Sequence, residues 1–120
     1  MAAPHVLVVD DDDDQRDVLL ALLHAEGLTA TGCERAATAL DLLGGGQKFD
    51  LIISDVVMPE MDGVEFASQV RSLQPGIPVV LVTGHDAAIE NIIGRGAIAL
   101  LKPYSAEKLK HVLGEHLGPI

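Results

Sequence analysis

A run of aspartates, Asp10-Asp11-Asp12-Asp13-Asp14, follows directly on the apolar stretch Val6-Leu7-Val8-Val9. Ser54-Asp55, Thr83-Gly84 and Lys102-Pro103 close three further apolar stretches. If those stretches are neighbouring strands, carboxylates, a hydroxyl and an ammonium converge on one edge. Asp10, Asp11 and Asp55 carry the strongest case for chemistry there. Two carboxylates about 4 Å apart repel by roughly 4 kcal/mol at an effective dielectric near 20, and a fold must offset that cost. A divalent cation offsets it. A few hard oxygen ligands suit Mg²⁺ (or Mn²⁺), which prefers one or two carboxylates plus phosphate oxygens to a full protein cage. One carboxylate could then act as nucleophile toward a phosphoryl group whose oxygens the cation, Lys102 and the Thr83 hydroxyl neutralise, giving an aspartyl phosphate. Asp12, Asp13 and Asp14 read instead as a solvated run or a helix N-terminus, which favours anions.

The elements that must position these groups are legible in the apolar pattern. Val6–Val9, Leu51–Ser54, Val79–Thr83 and Ala97–Leu101 show no polar alternation, so they read as strands buried on both faces of a parallel sheet. Leu28-Thr29-Ala30-Thr31 is a weaker candidate for an edge strand. Between the strands the period becomes helical, first in Val18, Leu19, Leu22 and Leu23, ending at Gly27. Thr31 and Glu34 have capping-box spacing ahead of Ala36, Ala37 and Leu40, and Gly44-Gly45-Gly46 ends that segment. A third helix over Val64–Ser72 is expected to bury Val64, Ala67 and Val70. Asp86 is expected to cap a fourth burying Ile89, Ile92 and Ile93, and Ser105 a fifth burying Leu109, Val112, Leu113 and Leu117. The order is (βα)5. Right-handed crossovers then give a three-layer α/β fold, a doubly wound parallel sheet of flavodoxin-like order 2-1-3-4-5. Ligands in such sheets bind at the carboxyl ends of the strands, where the polar residues above fall.

Composition narrows the partners. At 120 residues, 48% of them hydrophobic, the chain has the size of one domain able to bury a real core. Eight Lys and Arg against eighteen Asp and Glu give a net charge of −10, which argues against direct binding of duplex DNA. With no Trp, one Tyr and two Phe, the chain also lacks a platform for stacking single-stranded bases. Cys33, the only cysteine, rules out an internal disulfide. No apolar run reaches the length of a membrane span or signal core, so the reading is a soluble cytoplasmic protein without a membrane partner.

The stretches Val8-Val9-Asp10-Asp11-Asp12, Ile53-Ser54-Asp55-Val56-Val57-Met58-Pro59-Glu60-Met61-Asp62-Gly63, Val82-Thr83-Gly84 and Leu101-Lys102-Pro103-Tyr104 resemble the receiver domain of two-component response regulators. The resemblance covers about residues 5–117 and implies a single receiver domain over 1–120, with no output domain after helix five. Carried over by position, it implies that Asp55 is the phosphoacceptor. Asp11 and Asp55 would hold Mg²⁺, Val57 would add its backbone carbonyl, and Asp10 would assist through water. Lys102 would pair with the phosphoryl oxygens, and the Thr83 hydroxyl would swing onto them. The implied function is a phosphorelay switch rather than a turnover enzyme. A histidine kinase or histidine phosphotransfer protein would donate to Asp55, with slow self-hydrolysis afterwards. The surface from helix four through strand five to helix five would then signal to a downstream protein or a linked output domain.

Several positions depart from the family pattern. Ala99 stands where an aromatic is usual, and Tyr104 matches a second aromatic position rather than replacing the first. The segment from Thr83 to Lys102 is short and carries Gly94-Arg95-Gly96. Helix four should therefore be short or irregular, with a nonstandard partner surface or homodimer. Val57 and His85 flank the site at positions that tune phosphoryl lifetime in the family, although a lone loop histidine is more often a solvated bystander. Two other readings stay open. One is a receiver-like interaction module independent of phosphorylation. The other is a small Mg²⁺-dependent phosphohydrolase working through an aspartyl phosphate, which would need Thr or Val where Asp14 stands. A calcium loop starting at Asp10 fails, because Gln15 and Ala21 occupy the positions that need Gly and Glu.

Overall fold

A computed structural model describes residues 3–118. Its strands are β1 (His5–Val9), β2 (Thr29–Cys33), β3 (Leu51–Asp55), β4 (Val79–Thr83) and β5 (Ile98–Leu101). They form one sheet in the order β2-β1-β3-β4-β5, every neighbouring pair parallel. The helices are α1 (Asp13–Ala25), α2 (Ala36–Gly44), α3 (Gly63–Leu73), α4 (Asp86–Gly94) and α5 (Ala106–Leu117). This is the expected doubly wound α/β fold.

The apolar runs are explained by burial on both sides of the sheet. Val6, Val8, Leu51, Ile53, Val80, Val82 and Leu100 face Leu19 and Leu23 of α1 and Leu109 and Leu113 of α5. Leu7, Val9, Ile52 and Leu81 face Ala36, Ala39 and Leu43 of α2, Phe66, Ala67 and Val70 of α3, and Ile92 of α4. Phe66 of α3 is fully buried in this second layer. The register aligns Val9 with Ser54, Asp55 with Val82, and Thr83 with Leu101, so the polar residues ending these strands lie along one edge.

Some sequence expectations shift. Thr31 does not cap α2. It lies within β2, where its hydroxyl meets His5 Nε2 at 2.6 Å, and Arg35 precedes α2 without a side-chain cap. The edge strand runs later than expected, over Thr29–Cys33, because its ladder follows β1 as far as Val9. Asp86 is not the cap of α4 but a residue of its first turn, and His85 holds the cap position without a side-chain bond. Ile93 is 61% exposed, and on this helix Ile92 alone is fully buried, because α4 meets the sheet along a narrow stripe. Ser105 caps α5 as expected, accepting the N–H of Lys108 at 3.0 Å. α4 runs for nine residues, the same as α2, so of the two alternatives expected for it, short or irregular, the structure shows the first. Among the described residues, no helix is long and apolar enough to cross a membrane.

Candidate functional site

The turn from β1 into α1 builds the acidic edge. Asp10 continues the ladder by donating its N–H to Cys33 O at 3.0 Å, which draws its side chain into the protein, where the residue is 8% exposed. Its Oδ1 accepts the N–H of Asp12 at 2.9 Å, and Arg16 Nη1 donates to its carbonyl at 2.8 Å. Asp12 caps α1 by accepting the N–H of Gln15 at 3.0 Å. Asp13 and Asp14 fill the first turn, and Asp13 pairs with Arg16 at 2.6 Å. The rest of the acidic run is therefore helix-terminal chemistry, where negative charge meets the positive end of the helix dipole.

Asp10, Asp11 and Asp55 each offer a carboxylate oxygen, all within 4.8 Å of one another. Asp11 is exposed and Asp55 partly buried. Burial is the main force raising the Asp10 pKa. The charges of Asp55 and Asp11 add to it, while the Asp12 N–H and Lys102 oppose it. Octahedral Mg²⁺, bound at about 2.0–2.1 Å, sets its ligand oxygens about 3–4 Å apart. Oxygens within 4.8 Å of one another are close enough that this cluster could hold such an ion.

Lys102 reaches this cluster from the end of β5. Its backbone N–H donates to Thr83 O at 2.7 Å, and its Nζ lies 3.5 Å from Asp55 Oδ2. The same Nζ donates to Gln15 Oε1 at 2.8 Å. Thr83 is buried at the neighbouring strand end, and its hydroxyl accepts the N–H of His85 at 3.1 Å. Val57 exposes its side chain and directs its N–H toward Asp55 Oδ1 at 3.4 Å. Met58 and Met61 pack against the α2–α3–α4 side, consistent with loop packing. Ala99 is partly buried on that same side.

The loop after Asp55 is held tightly. Gly63 N–H donates to Val56 O at 2.7 Å, and Asp62 caps α3 by accepting the N–H of Glu65 at 2.8 Å. A Cβ on Gly63 would stand 2.5 Å from Asp55 O and 2.8 Å from Val56 Cα, so the position has no space for any side chain. Beside the carboxylates a groove of about 560 Å³ opens between α1 and the β5–α5 loop, lined in part by Gln15, Val18, Ile53, Pro103 and Tyr104. Burial, and to a lesser degree the charge of Asp10, pushes the Tyr104 pKa up. Gln15 is the site residue that sequence reasoning missed. Its only signal was its place one turn into the helix that follows the acidic run.

The family model for the response regulator receiver domain matches residues 6–114. The chain belongs to this family. The receiver domain is 34% identical over 116 residues to the transcriptional regulatory protein ZraR of Klebsiella oxytoca, a match covering 94% of this chain and 26% of that protein. It is 35% identical over 107 residues to the response regulator MprA of Mycobacterium sp. (strain KMS), covering 87% and 46% respectively. The chain thus spans less than half the length of either regulator. Among solved structures, the Vibrio cholerae chemotaxis protein CheY4 superposes with a TM-score of 0.85 at 31% identity, covering 96% of this chain and 99% of that one. Receiver domains are signalling domains, generally not turnover enzymes, and they bind Mg²⁺ in an acidic cleft.

Proposed function

We propose that Asp55 accepts a phosphoryl group from a histidine kinase or histidine phosphotransfer protein and that this receiver domain works as a cytoplasmic switch. The observation that carries the reading is the buried Asp10 beside Asp11 and Asp55, with Lys102 Nζ 3.5 Å from the Asp55 carboxylate. In the transfer, an Asp55 oxygen bonds to phosphorus as the bond from phosphorus to the donor imidazole nitrogen breaks. The electron pair of that bond stays on the nitrogen, and the ring, already protonated on its other nitrogen, leaves as neutral imidazole. Lys102 donates to the phosphoryl oxygens, and Thr83 turns its hydroxyl from the His85 N–H toward them. Asp11, Asp55 and the Val57 carbonyl would hold Mg²⁺ (or Mn²⁺), with Asp10 acting through water. The cation, when bound, supplies positive charge against the transferred group.

The movement of Thr83 acts on the start of α4, so two arrangements of the α4–β5–α5 surface differ in energy according to the state of Asp55. Ala99 has no rotamer to follow that movement, so the signal runs through the backbone of the β4–α4 turn. One receiver unit, about residues 5–117, does this work, with a downstream protein or linked output domain as reader. Self-hydrolysis of the phosphate is slow. Intact mass after incubation with Mg²⁺ and a small-molecule phosphodonor tests the reading. The wild type should gain one phosphoryl group in a metal-dependent way, and Asp55→Ala should gain none. A folded, Mg²⁺-binding wild type without an adduct would instead support an interaction module independent of phosphorylation.

A further inference from the structure

We propose that Gln15 is a positioning residue for Lys102, an inference that rests on the phosphoacceptor reading of Asp55. Gln15 is three residues after Asp12, the cap of α1. In a capping box the side chain at that position turns back to the N–H of the cap residue. Here that N–H is already taken by Asp10 Oδ1 at 2.9 Å. The Gln15 amide oxygen is therefore free to reach outward, and it accepts Lys102 Nζ at 2.8 Å across 87 positions of sequence. The same ammonium lies 3.5 Å from Asp55 Oδ2, the longer of its two contacts.

A lysine ammonium is a point charge on a flexible stem, with three donors and no preferred fork geometry. Two acceptors on different elements, α1 and β3, give it a defined location. The chemical types of those acceptors matter. The Gln15 amide is neutral, so it holds the ammonium by a hydrogen bond while leaving its full positive charge available to the transferred phosphoryl. It also draws the ammonium away from a closed ion pair with Asp55, which keeps that carboxylate available as nucleophile and cation ligand. An apolar residue at position 15 would release Lys102 onto Asp55, and the ammonium would then compete with Mg²⁺ for the same oxygens.

Calorimetric titration of Mg²⁺ into the whole chain tests this through a double-mutant cycle of Gln15→Met and Lys102→Met. Gln15 is exposed and Met matches it in helix propensity, so the variant keeps the fold. Gln15→Met should weaken Mg²⁺ binding about three- to tenfold, the scale of one ordinary net hydrogen bond at an exposed position. In the Lys102→Met background the same substitution should have no effect, which a merely structural role of Gln15 would not produce. Wild-type affinity in Gln15→Met, or equal weakening in both backgrounds, would overturn the proposal. The phosphoryl adduct is read separately. A chain with the expected coupling but no adduct at Asp55 would sink the phosphoacceptor reading and leave the pairing standing. An adduct without the coupling would sink only the role of Gln15.

Discussion

The two ends of the sheet handle polar groups in opposite ways. At the amino end, the N–H of His5 donates to Asp50 Oδ2 at 2.7 Å, and the N–H of Asp50 returns a bond to His5 O at 2.8 Å. The His5 ring meets the Thr31 hydroxyl at 2.6 Å and rests on Phe49, ring centres 4.6 Å apart. Each group has a partner of complementary character. At the carboxyl end, three carboxylates gather within 4.8 Å around a single ammonium that also serves Gln15. The first end serves stability. The second tolerates repulsion that a ligand would relieve, and local conflict of this kind is expected where a fold does chemistry.

Three variants break or sharpen that contrast. Gly63→Ala should have the largest effect, a destabilisation of about 2–3 kcal/mol from forced overpacking against the Asp55 carbonyl. Denaturant unfolding followed by circular dichroism would measure it, and Mg²⁺ should not restore the loss. Asp10→Asn should act in the opposite direction at the same end. Relieving close like charges should stabilise the metal-free protein by about 1–2 kcal/mol near neutral pH. The pH dependence supplies a second check. Burial raises the Asp10 pKa above its ordinary value of 3.8, so the folded chain holds this proton more firmly than the unfolded one. The stability from this group is therefore fully present below pH 3.8 and is lost as pH rises through the elevated folded value. Asp10→Asn should lack that component, and a destabilised Asp10→Asn would end the contrast between the two sheet ends. Thr31→Val should have the smallest effect, about 1 kcal/mol of destabilisation from the lost partner of His5, with Mg²⁺ affinity unchanged by calorimetry.

The sheet was legible because strands buried on both faces must be apolar throughout, and its carboxyl edge was legible because parallel topology brings every strand end to the same side. Burial and capping were harder to read. The spacing of Thr31 and Glu34 satisfies a local capping rule, yet the pairing of β2 with β1 holds Thr31 in a strand and gives its hydroxyl to His5. Ile93 repeats with the helical period of α4, but the stripe that meets the sheet is too narrow to include it. Phe66 is fully buried in a cluster that also holds Ala36, Ala39 and Leu43 of α2, neighbours that the local helical period of α3 does not reveal. Gln15 escaped notice for a related reason. Its partner is 87 positions away, and a local rule would have sent its side chain elsewhere.

The His85 N–H donates directly to the Thr83 hydroxyl at 3.1 Å, so this single amide is a built-in reporter of where that hydroxyl points. In an ¹⁵N-labelled chain, the His85 cross-peak should move when Thr83 releases it. One resonance could then count the fraction of molecules in each state during a titration with phosphodonor, without any probe attached to the protein.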